Sequence, residues 1–361
     1  GVSPGSRQSG DLSVLVVGGG PVGLVAALTL ARAGVRTHLV ERRLQWLSPS
    51  LASTLQPPTL ALLSDLGVDL TDLGLVAATC EYRGADSSAV FDLGELAGEV
   101  AMPYRRHLGQ QVLCARLLAE LAALPTAMCR AGVAADLSWS SEYDVVIAAD
   151  GAGSSLRQQA GLTFDGTDYA GTITRLHCAP APFDSWHPVS YVFGQTESVS
   201  VLKLADEVRV IMRPPPTPAV DSPQSRAEEI LGVTLKVRSV TQYTAAKRVV
   251  SDNTAGNVVF VGDAAHVTNT RGGMNMNAGI HDAVAVARTL ASDPAGVQRV
   301  AAQRLAVARD LLLPRTDASL AAPQERLAHV SAIHRAGASA RRDFLRRSAM
   351  LDMMAGVPDA R

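Results

Sequence analysis

Aromatic side chains are scarce in this sequence, at 4% of 361 residues, and the formal net charge at pH 7 is only −1. Surfaces that stack nucleic-acid bases need aromatic side chains, and surfaces that follow a phosphate backbone need an excess of basic ones. No apolar run reaches the roughly 20 residues that span a membrane. The composition therefore argues against a nucleic-acid partner and against a membrane partner.

Cysteines are also few, and none is arranged as a CxxC pair. They are Cys80, Cys114, Cys129 and Cys178. Scattered thiols without paired spacing are typical of reduced proteins, so we expect free cysteines and a cytoplasmic location.

The histidines do not form a metal-site pattern. His266 and His281 lack a second ligand at a useful spacing, and His329 and His334 are too far apart to share one helical face. GxSxG, HExxH and P-loop motifs are absent. We therefore expect no resident metal, and the sequence alone identifies no catalytic side chain.

What the sequence does contain is 47% hydrophobic residues, enough for a large core, and one highly patterned segment at residues 14–41. An apolar strand over 14–17 is followed by glycines in G-x-G-x-x-G order, a helix over 24–32 and a second strand over 37–40 that Glu41 closes. This spacing is typical of a βαβ unit that binds a dinucleotide. The alternative is a glycine-rich turn in an ordinary α/β protein.

Each glycine of this unit has a physical role. Gly18 allows a tight turn, Gly20 lets the backbone approach a pyrophosphate, and Gly23 lets the helix and the strand pack closely. The helix N-terminus, with Pro21 and Val22, then presents free N–H groups and a positive dipole end to the anion.

Two further strands end in Gly/Asp pairs. A buried strand over 143–149 ends at Asp150 and Gly151, and another over 258–261 ends at Gly262 and Asp263. Ligands bind at the carboxyl ends of strands in open α/β sheets, although Asp150-Gly151 is equally consistent with a plain turn. A glycine-containing segment, 271–277, precedes a helix that we predict to start near Asn277, so its backbone N–H groups are available to an anion or a polarised carbonyl.

The remaining pattern predicts a separate sheet and a helical end. Helices are expected over 59–66 and 116–124, with Val112 and Leu113 as the end of a strand or a turn. Strands that suit an antiparallel sheet are expected over 191–193, 199–204, 208–212 and 237–243. From Val297 onward the chain reads as helical and arginine-rich, and its arginines are more typical of a solvated face than of a binding patch.

With these motifs, the chain resembles the FAD-dependent aromatic and polyketide hydroxylases of the p-hydroxybenzoate hydroxylase type. The resemblance rests on 18–41, on DGAGSSLR at 150–157, and on GDAAH at 262–266 with GGMNMNAGIHDA at 272–283. It implies an α/β fold: a Rossmann-type FAD-binding domain with a mixed sheet, an antiparallel substrate-binding sheet domain and a helical C-terminal end. The implied ranges are 1–163 and 251–295 for the FAD-binding domain, 164–250 for the substrate sheet and 296–361 for the helical region.

The resemblance also implies the site. Glu41 would hold the adenosine ribose, Asp263 the ribityl chain or pyrophosphate, and the turn 272–277 would lie against the flavin ring, while Asp150 and Arg157 belong to a fingerprint associated with FAD and NADPH. The residues expected to contact the cofactor are Gly18, Gly20, Pro21, Val22, Gly23, Glu41, Arg42, Gln111, Cys114, Asp150, Arg157, Gly262, Asp263, Gly272, Gly273, Met274, Asn275, Met276 and Asn277.

The sequence departs from the family pattern near the flavin. Leu51 stands where the family usually has an arginine, and Cys114, or Gln111 in a shifted register, stands where a glutamine or arginine opens a helix. Thr270 and Arg271 replace a proline, and Asn275 replaces a glycine. The C-terminal thioredoxin-like domain of the larger relatives is missing from this chain.

The family's reaction reduces FAD with NADPH and transfers one oxygen atom of O₂ to an activated, usually phenolic, carbon. We therefore expect a monooxygenase that hydroxylates an aromatic or polyketide natural product. The departures keep two alternatives open: a cyclase that shapes a polyketide while FAD is structural, and a flavin reductase without oxygen transfer. The substrate, its site of hydroxylation, NADPH against NADH and the oligomeric state stay open.

Overall fold

A six-stranded sheet, the central sheet, organises the computed structural model, which describes residues 11–46 and 52–358. Its strands run parallel except for one antiparallel edge pair, and most are apolar because helices or loops cover both faces. In spatial order they are Thr254–Ala255, Val258–Phe260, Val145–Ala148, Ser13–Val17, Arg36–Glu41 and Ala127–Ala131. The predicted βαβ unit therefore forms the middle of this sheet.

The helices pack against the central sheet and against a second large sheet, and they make up the C-terminal region. Their bounds are Pro21–Arg32, Pro57–Asp65, Gln110–Ala122, Ser155–Gln159, Pro223–Leu231, Asn275–Ser292, Val297–Val307, Leu313–Ala318, Pro323–Arg335 and Ala338–Ser348. Among the described residues, none of these helices has the length and apolarity that crossing a bilayer requires. The helical C-terminal end is present, as predicted.

One prediction about a helix start is wrong. Val112 and Leu113 lie inside the helix Gln110–Ala122, not at the end of a strand or in a turn. Gly109 precedes this helix and no side chain caps it, so the sequence carries no ordinary N-cap signal at its true start.

The second sheet, the substrate sheet, has seven strands. All neighbours are antiparallel except the parallel pair Val189–Phe193 and Thr79–Arg83. In spatial order the strands are Val237–Tyr243, Ile173–Cys178, Val208–Met212, Ser198–Lys203, Val189–Phe193, Thr79–Arg83 and Ser88–Asp92. The last two come from the range 1–163, and the sequence pattern missed them because buried Glu81, paired with Arg83 and Ser88, breaks the apolar alternation.

Two small antiparallel sheets join the large ones. Their strands are Thr54–Leu55, Arg105–His107 and Leu75–Ala77 in one, and Phe164–Asp168, Ala246–Val250 and His266–Val267 in the other. The C-terminal helices pack on the substrate sheet through a core that includes Leu327, Val330 and Phe344 against Tyr82 and Tyr191. The helical region thereby closes the space beside that sheet.

Candidate cofactor and substrate site

The glycine loop at the end of Ser13–Val17 is packed tightly at two positions and open at the third. Gly18 has φ +113°, and a Cβ there would lie 2.0 Å from the carbonyl oxygen of Ala149. A Cβ on Gly23 would lie 1.8 Å from the carbonyl oxygen of Gly18. A Cβ on Gly20, in contrast, would meet no atom of the described residues within 4 Å. Gly18 and Gly23 are therefore required by the fold, and Gly20 borders free space.

The first helix begins at that free space. Pro21 opens it after Gly20, and no side chain among the described residues caps its N-terminus. The first-turn amides of a helix have no intrahelical acceptor, and they carry the positive end of the helix dipole. This end of Pro21–Arg32 is therefore suited to an anionic group such as a pyrophosphate.

Glu41 lies beside the loop, as its spacing predicts. Its carboxylate accepts hydrogen bonds from the backbone N–H of Gly19 at 2.6 Å and of Arg43 at 3.1 Å, while Arg42 is exposed. Two backbone donors fix the orientation of the carboxylate and leave acceptor capacity on both oxygens for a ligand hydroxyl.

The second motif forms an internal brace. Asp150 accepts hydrogen bonds from the Ser154 hydroxyl at 2.5 Å and, more weakly, from the N–H of Leu156. Arg157 is only 5% exposed; it donates to the carbonyls of Ala264 and Ala152 and stacks on the Phe164 ring. The structure thus directs the Arg157 side chain inward, where it ties the second motif to the third.

The third motif places Asp263 next to the first helix. Gly262 has φ +62°, and a Cβ there would lie 3.0 Å from the Val22 side chain. The Asp263 carboxylate is solvent-accessible and accepts a hydrogen bond from Asn275 Nδ2 at 2.7 Å.

The turn before Asn275–Ser292 is held in place by Asn277. Asn277 Oδ1 accepts from the N–H of Gln56 at 2.9 Å and from the Thr59 hydroxyl at 2.6 Å, and its Nδ2 donates to the carbonyls of Thr54 and Gly273. Gly273, at φ +62°, has no room for a Cβ against Thr54. Asn277 therefore acts as a buried clamp, and the surface of the turn is formed by backbone together with Met274 and Met276.

Sequence reasoning assigned no role to Gln56, which joins this turn to an arginine. Its Nε2 donates to the carbonyl of Gly272 at 2.8 Å, and its Oε1 accepts from Arg105 Nε at 3.1 Å. Gln56 is fully buried, so these contacts fix its position. No local sequence pattern signals a contact between residues that far apart in the chain.

Two of the departures from the family pattern, Asn275 and Thr270, are accommodated in this structure. Asn275 has helical backbone, and its side chain turns to Asp263 and to His266 Nδ1, 2.9 Å away. Thr270 lies 3.0 Å from the Tyr243 hydroxyl through its own hydroxyl, which anchors the turn without a proline. Leu51 lies outside the described residues.

The structure does not bring Cys114 to the site. Its side chain is 2% exposed in the hydrophobic core, and burial raises the pKa of its thiol to about 12. Gln111 is exposed on the first turn of the helix, and Gln110, which the sequence reasoning missed, opens it.

A buried ionic network lies directly behind Asn275. His266 Nε2 is 2.6 Å from Asp282, and the other oxygen of Asp282 accepts from Arg304 Nε at 2.7 Å. Burial alone would lower the pKa of His266, but the Asp282 carboxylate outweighs it and the pKa is raised. Arg304 also donates to the carbonyls of Met353 and Ala355, which ties the chain end to the site.

His266 and His281, the two histidines considered as metal ligands, each contact another side chain of this protein. His281 is buried against Thr59, and burial lowers its pKa to about 3, so its ring is neutral. Within the described part of the chain, no group of three His, Cys, Asp or Glu side chains is arranged to hold a metal ion.

A cavity of about 370 Å³ lies between the glycine turn, the substrate sheet and the C-terminal helices. Gly272 and Met274 of the turn form part of its wall. Its apolar lining includes a cluster of aromatic rings, from Tyr82, Tyr191, Phe193 and Phe344. The cavity is therefore shaped for a flat apolar ring next to the turn.

Comparison with known proteins agrees with a dinucleotide-binding site at the central sheet. A family model described as an FAD binding domain matches residues 11–133 and 139–305. The 6-hydroxy-3-succinoylpyridine 3-monooxygenase of Pseudomonas putida is 32% identical over 312 residues, which cover 77% of this chain and 78% of that protein.

Two solved structures share the fold. The p-nitrophenol 4-monooxygenase of Pseudomonas putida DLL-E4 superposes with a TM-score of 0.79 at 24% identity, covering 93% of this chain and 98% of that one. A Diels–Alderase from the biosynthetic pathway of pyrroindomycins superposes with a TM-score of 0.75 at 21% identity, covering 96% of this chain and 80% of that one.

Proposed function

The chain belongs to the FAD-binding-domain family, and we propose that it is an FAD-dependent monooxygenase that hydroxylates a small aromatic ring with NAD(P)H and O₂. The observation that carries the proposal is the aromatic cavity that opens directly on the glycine turn 272–277. The relative with 32% identity over most of the chain is named as a monooxygenase and supports the same reaction class.

The residues at the central sheet fit FAD. The open space at Gly20 and the uncapped N-terminus of Pro21–Arg32 would receive the pyrophosphate, and Glu41 would hold the ribose. Asp263 would meet the ribityl side and the turn 272–277 the ring. Bound FAD supplies the redox chemistry, taking a hydride from NAD(P)H and activating O₂.

The chain's own residues hold and screen the reacting groups. Asn277 and Gln56 make the turn rigid, so its backbone and the N-terminus of Asn275–Ser292 keep their dipoles oriented. The aromatic walls exclude water and limit how a ring can lie beside the turn. A cavity of about 370 Å³ is near the small end of ligand sites, which favours one or two rings over an extended polyketide.

A second candidate is a cyclase in which FAD is structural. The fold similarity to a Diels–Alderase motivates it, because two members of one fold family differ there in reaction type. Asn275 and Thr270, two of the departures that motivated this alternative, find partners within the chain without displacing the turn. We therefore keep the monooxygenase as the proposal.

Labelled oxygen separates the candidates. FAD-loaded protein is given NAD(P)H, isotopically labelled O₂ and a panel of hydroxylated benzenes and pyridines. The masses of the products are then measured by mass spectrometry. The monooxygenase predicts one labelled oxygen atom per product and NAD(P)H consumption that the substrate accelerates. No NAD(P)H consumption and no labelled product with any member of the panel would contradict it and favour the cyclase, and NAD(P)H consumption without any labelled product would leave a reductase.

A further inference from the structure

The cavity beside the glycine turn carries an excess of positive charge. Four arginines line it without a carboxylate partner among the described residues; we call them the cavity arginines. They are Arg105, Arg271, Arg326 and Arg347. Solvent can screen Arg347, which is exposed, and Arg326, which is half-buried, but an unpaired charge at the buried Arg105 is costly and points to a ligand that pairs with it.

Arg105 is the most informative of the four. It is only 8% exposed, and Nε donates to the neutral Gln56 Oε1. Within the described residues, no acceptor faces its two terminal nitrogens, although the side chain forms part of the cavity wall. The two terminal nitrogens of such a guanidinium can donate parallel hydrogen bonds to the two oxygens of one carboxylate.

Arg271 has only neutral partners. It donates to the carbonyl of Ser319 at 2.9 Å and to the Ser198 hydroxyl at 2.7 Å, and its Nε is buried without an acceptor in the described chain. Burial, and then the neighbouring Arg213, lower the pKa of Arg271 to about 9, so it is still charged at neutral pH. The two arginines next to the turn thus both lack a counter-charge.

The other ionic groups of the wall are already neutralised. Arg315 pairs with Asp352, and Asp310, a carboxylate of the wall, pairs with the exposed Arg309. No acidic side chain of the described residues is therefore left to compensate the cavity arginines. An anionic ligand in the cavity would therefore find Arg105 and Arg271 without a competing carboxylate.

We propose that the cavity selects an aromatic substrate that carries a carboxylate, which Arg105 and Arg271 bind while the substrate ring lies among the aromatic side chains of the cavity, beside the part of the turn that the flavin ring would face. This inference rests on the proposed function, because it names the substrate class of the same site. Gln56 connects Arg105 to the carbonyl of Gly272, so a carboxylate on Arg105 also places the ring close to the turn.

Binding of a matched pair of ligands tests the proposal without relying on turnover. para-Hydroxyphenylacetate and its amide have the same shape and differ in charge. Their dissociation constants for FAD-loaded protein are measured by calorimetry at fixed, low salt. We expect the carboxylate to bind about 10- to 100-fold more tightly, the range for one or two hydrogen bonds to a charged group.

Substitutions show whether Arg105 and Arg271 cause the tighter binding of the carboxylate. Arg105→Met and Arg271→Met should each remove most of the carboxylate's advantage and change amide binding by less than about threefold. Arg271→Lys, which keeps the charge, should retain part of the advantage. Arg341→Met removes one charge from a surface pair with Glu95 outside the cavity and should leave both constants unchanged. FAD content and the thermal midpoint of each variant establish that it is folded.

Equal binding of acid and amide, or an acid preference that survives both Arg→Met variants, would overturn the inference. Variants that lose FAD but keep the acid preference would also overturn it, because the arginines would then serve the cofactor. Labelled hydroxylation of neutral phenols without acid preference refutes only this inference. Acid preference with no NAD(P)H-dependent oxidation of any ligand refutes only the proposed function.

Discussion

Gly23→Ala should destabilise the protein by about 4 kcal/mol or more and abolish FAD binding. The added Cβ would lie 1.8 Å from the carbonyl oxygen of Gly18, a backbone atom of the packed loop that follows the strand Ser13–Val17 of the central sheet. Losses of this size are exceptional for single substitutions and arise from such overpacking. Chemical unfolding, followed by circular dichroism with and without FAD, measures the effect.

Gly20→Ala provides the informative comparison. Its Cβ meets no described protein atom within 4 Å, so the unfolding curve of the apoprotein should match the wild type. FAD should bind roughly 10-fold more weakly or worse, a loss of about 1.4 kcal/mol, because the methyl group takes space at the pyrophosphate position. Gly98→Ala, an equally open exposed position, controls for the glycine-to-alanine change itself. Unchanged FAD affinity in Gly20→Ala would show that the open space is not part of the cofactor site.

Arg304→Met should cost about 3–5 kcal/mol of unfolding free energy. The guanidinium is buried, pairs with Asp282 at 2.7 Å, and holds the carbonyls of Met353 and Ala355. Removing Arg304 leaves the buried Asp282 carboxylate with His266 alone and takes the donor from two backbone carbonyls, which is why the loss exceeds that of a surface pair. Arg341→Met, from an exposed pair, is the matched control and should leave the unfolding midpoint nearly unchanged. Similar midpoints for both variants would contradict the account of the network.

The network of His266, Asp282 and Arg304 also predicts how the unfolding free energy depends on pH. This dependence shows whether His266 is protonated in the folded protein. The pKa of His266 is raised in the folded protein. Its protonation therefore stabilises the fold at pH values below about 6.5, the pKa that His266 has in the unfolded chain. That stability is lost as the pH rises from about 6.5 through the raised folded pKa. The difference in unfolding free energy between wild type and His266→Gln should therefore shrink over this window. A difference that grows with pH would mean that His266 is neutral in the folded state.

The parts of the fold that the sequence predicts are those with local signals. The glycine loop, its helix and Glu41 lie within one βαβ unit, and short-range spacing alone determines their arrangement. The strand Thr79–Arg83 was missed because a buried ionic group interrupts its alternation.

Side-chain direction depends on residues far along the chain, so the sequence could not settle it. Arg157 and Asn277 belong to the expected motifs, yet their side chains turn inward to partners as distant as Ala264 and Thr54. The cavity arginines likewise come from separate elements and line one cavity only in the folded chain. The sequence predicted a solvated face for Arg326 and Arg347 and assigned no role to Arg105.

Anaerobic reduction of bound FAD tests the central proposal most directly. FAD-loaded protein is mixed with NADPH, with and without para-hydroxyphenylacetate, and the visible absorption of the flavin is followed. The account predicts that the flavin bleaches and that the aromatic acid accelerates the bleaching. A flavin that stays oxidised with NADPH and with NADH, in a folded protein that binds the aromatic, would contradict it and leave FAD as a structural element.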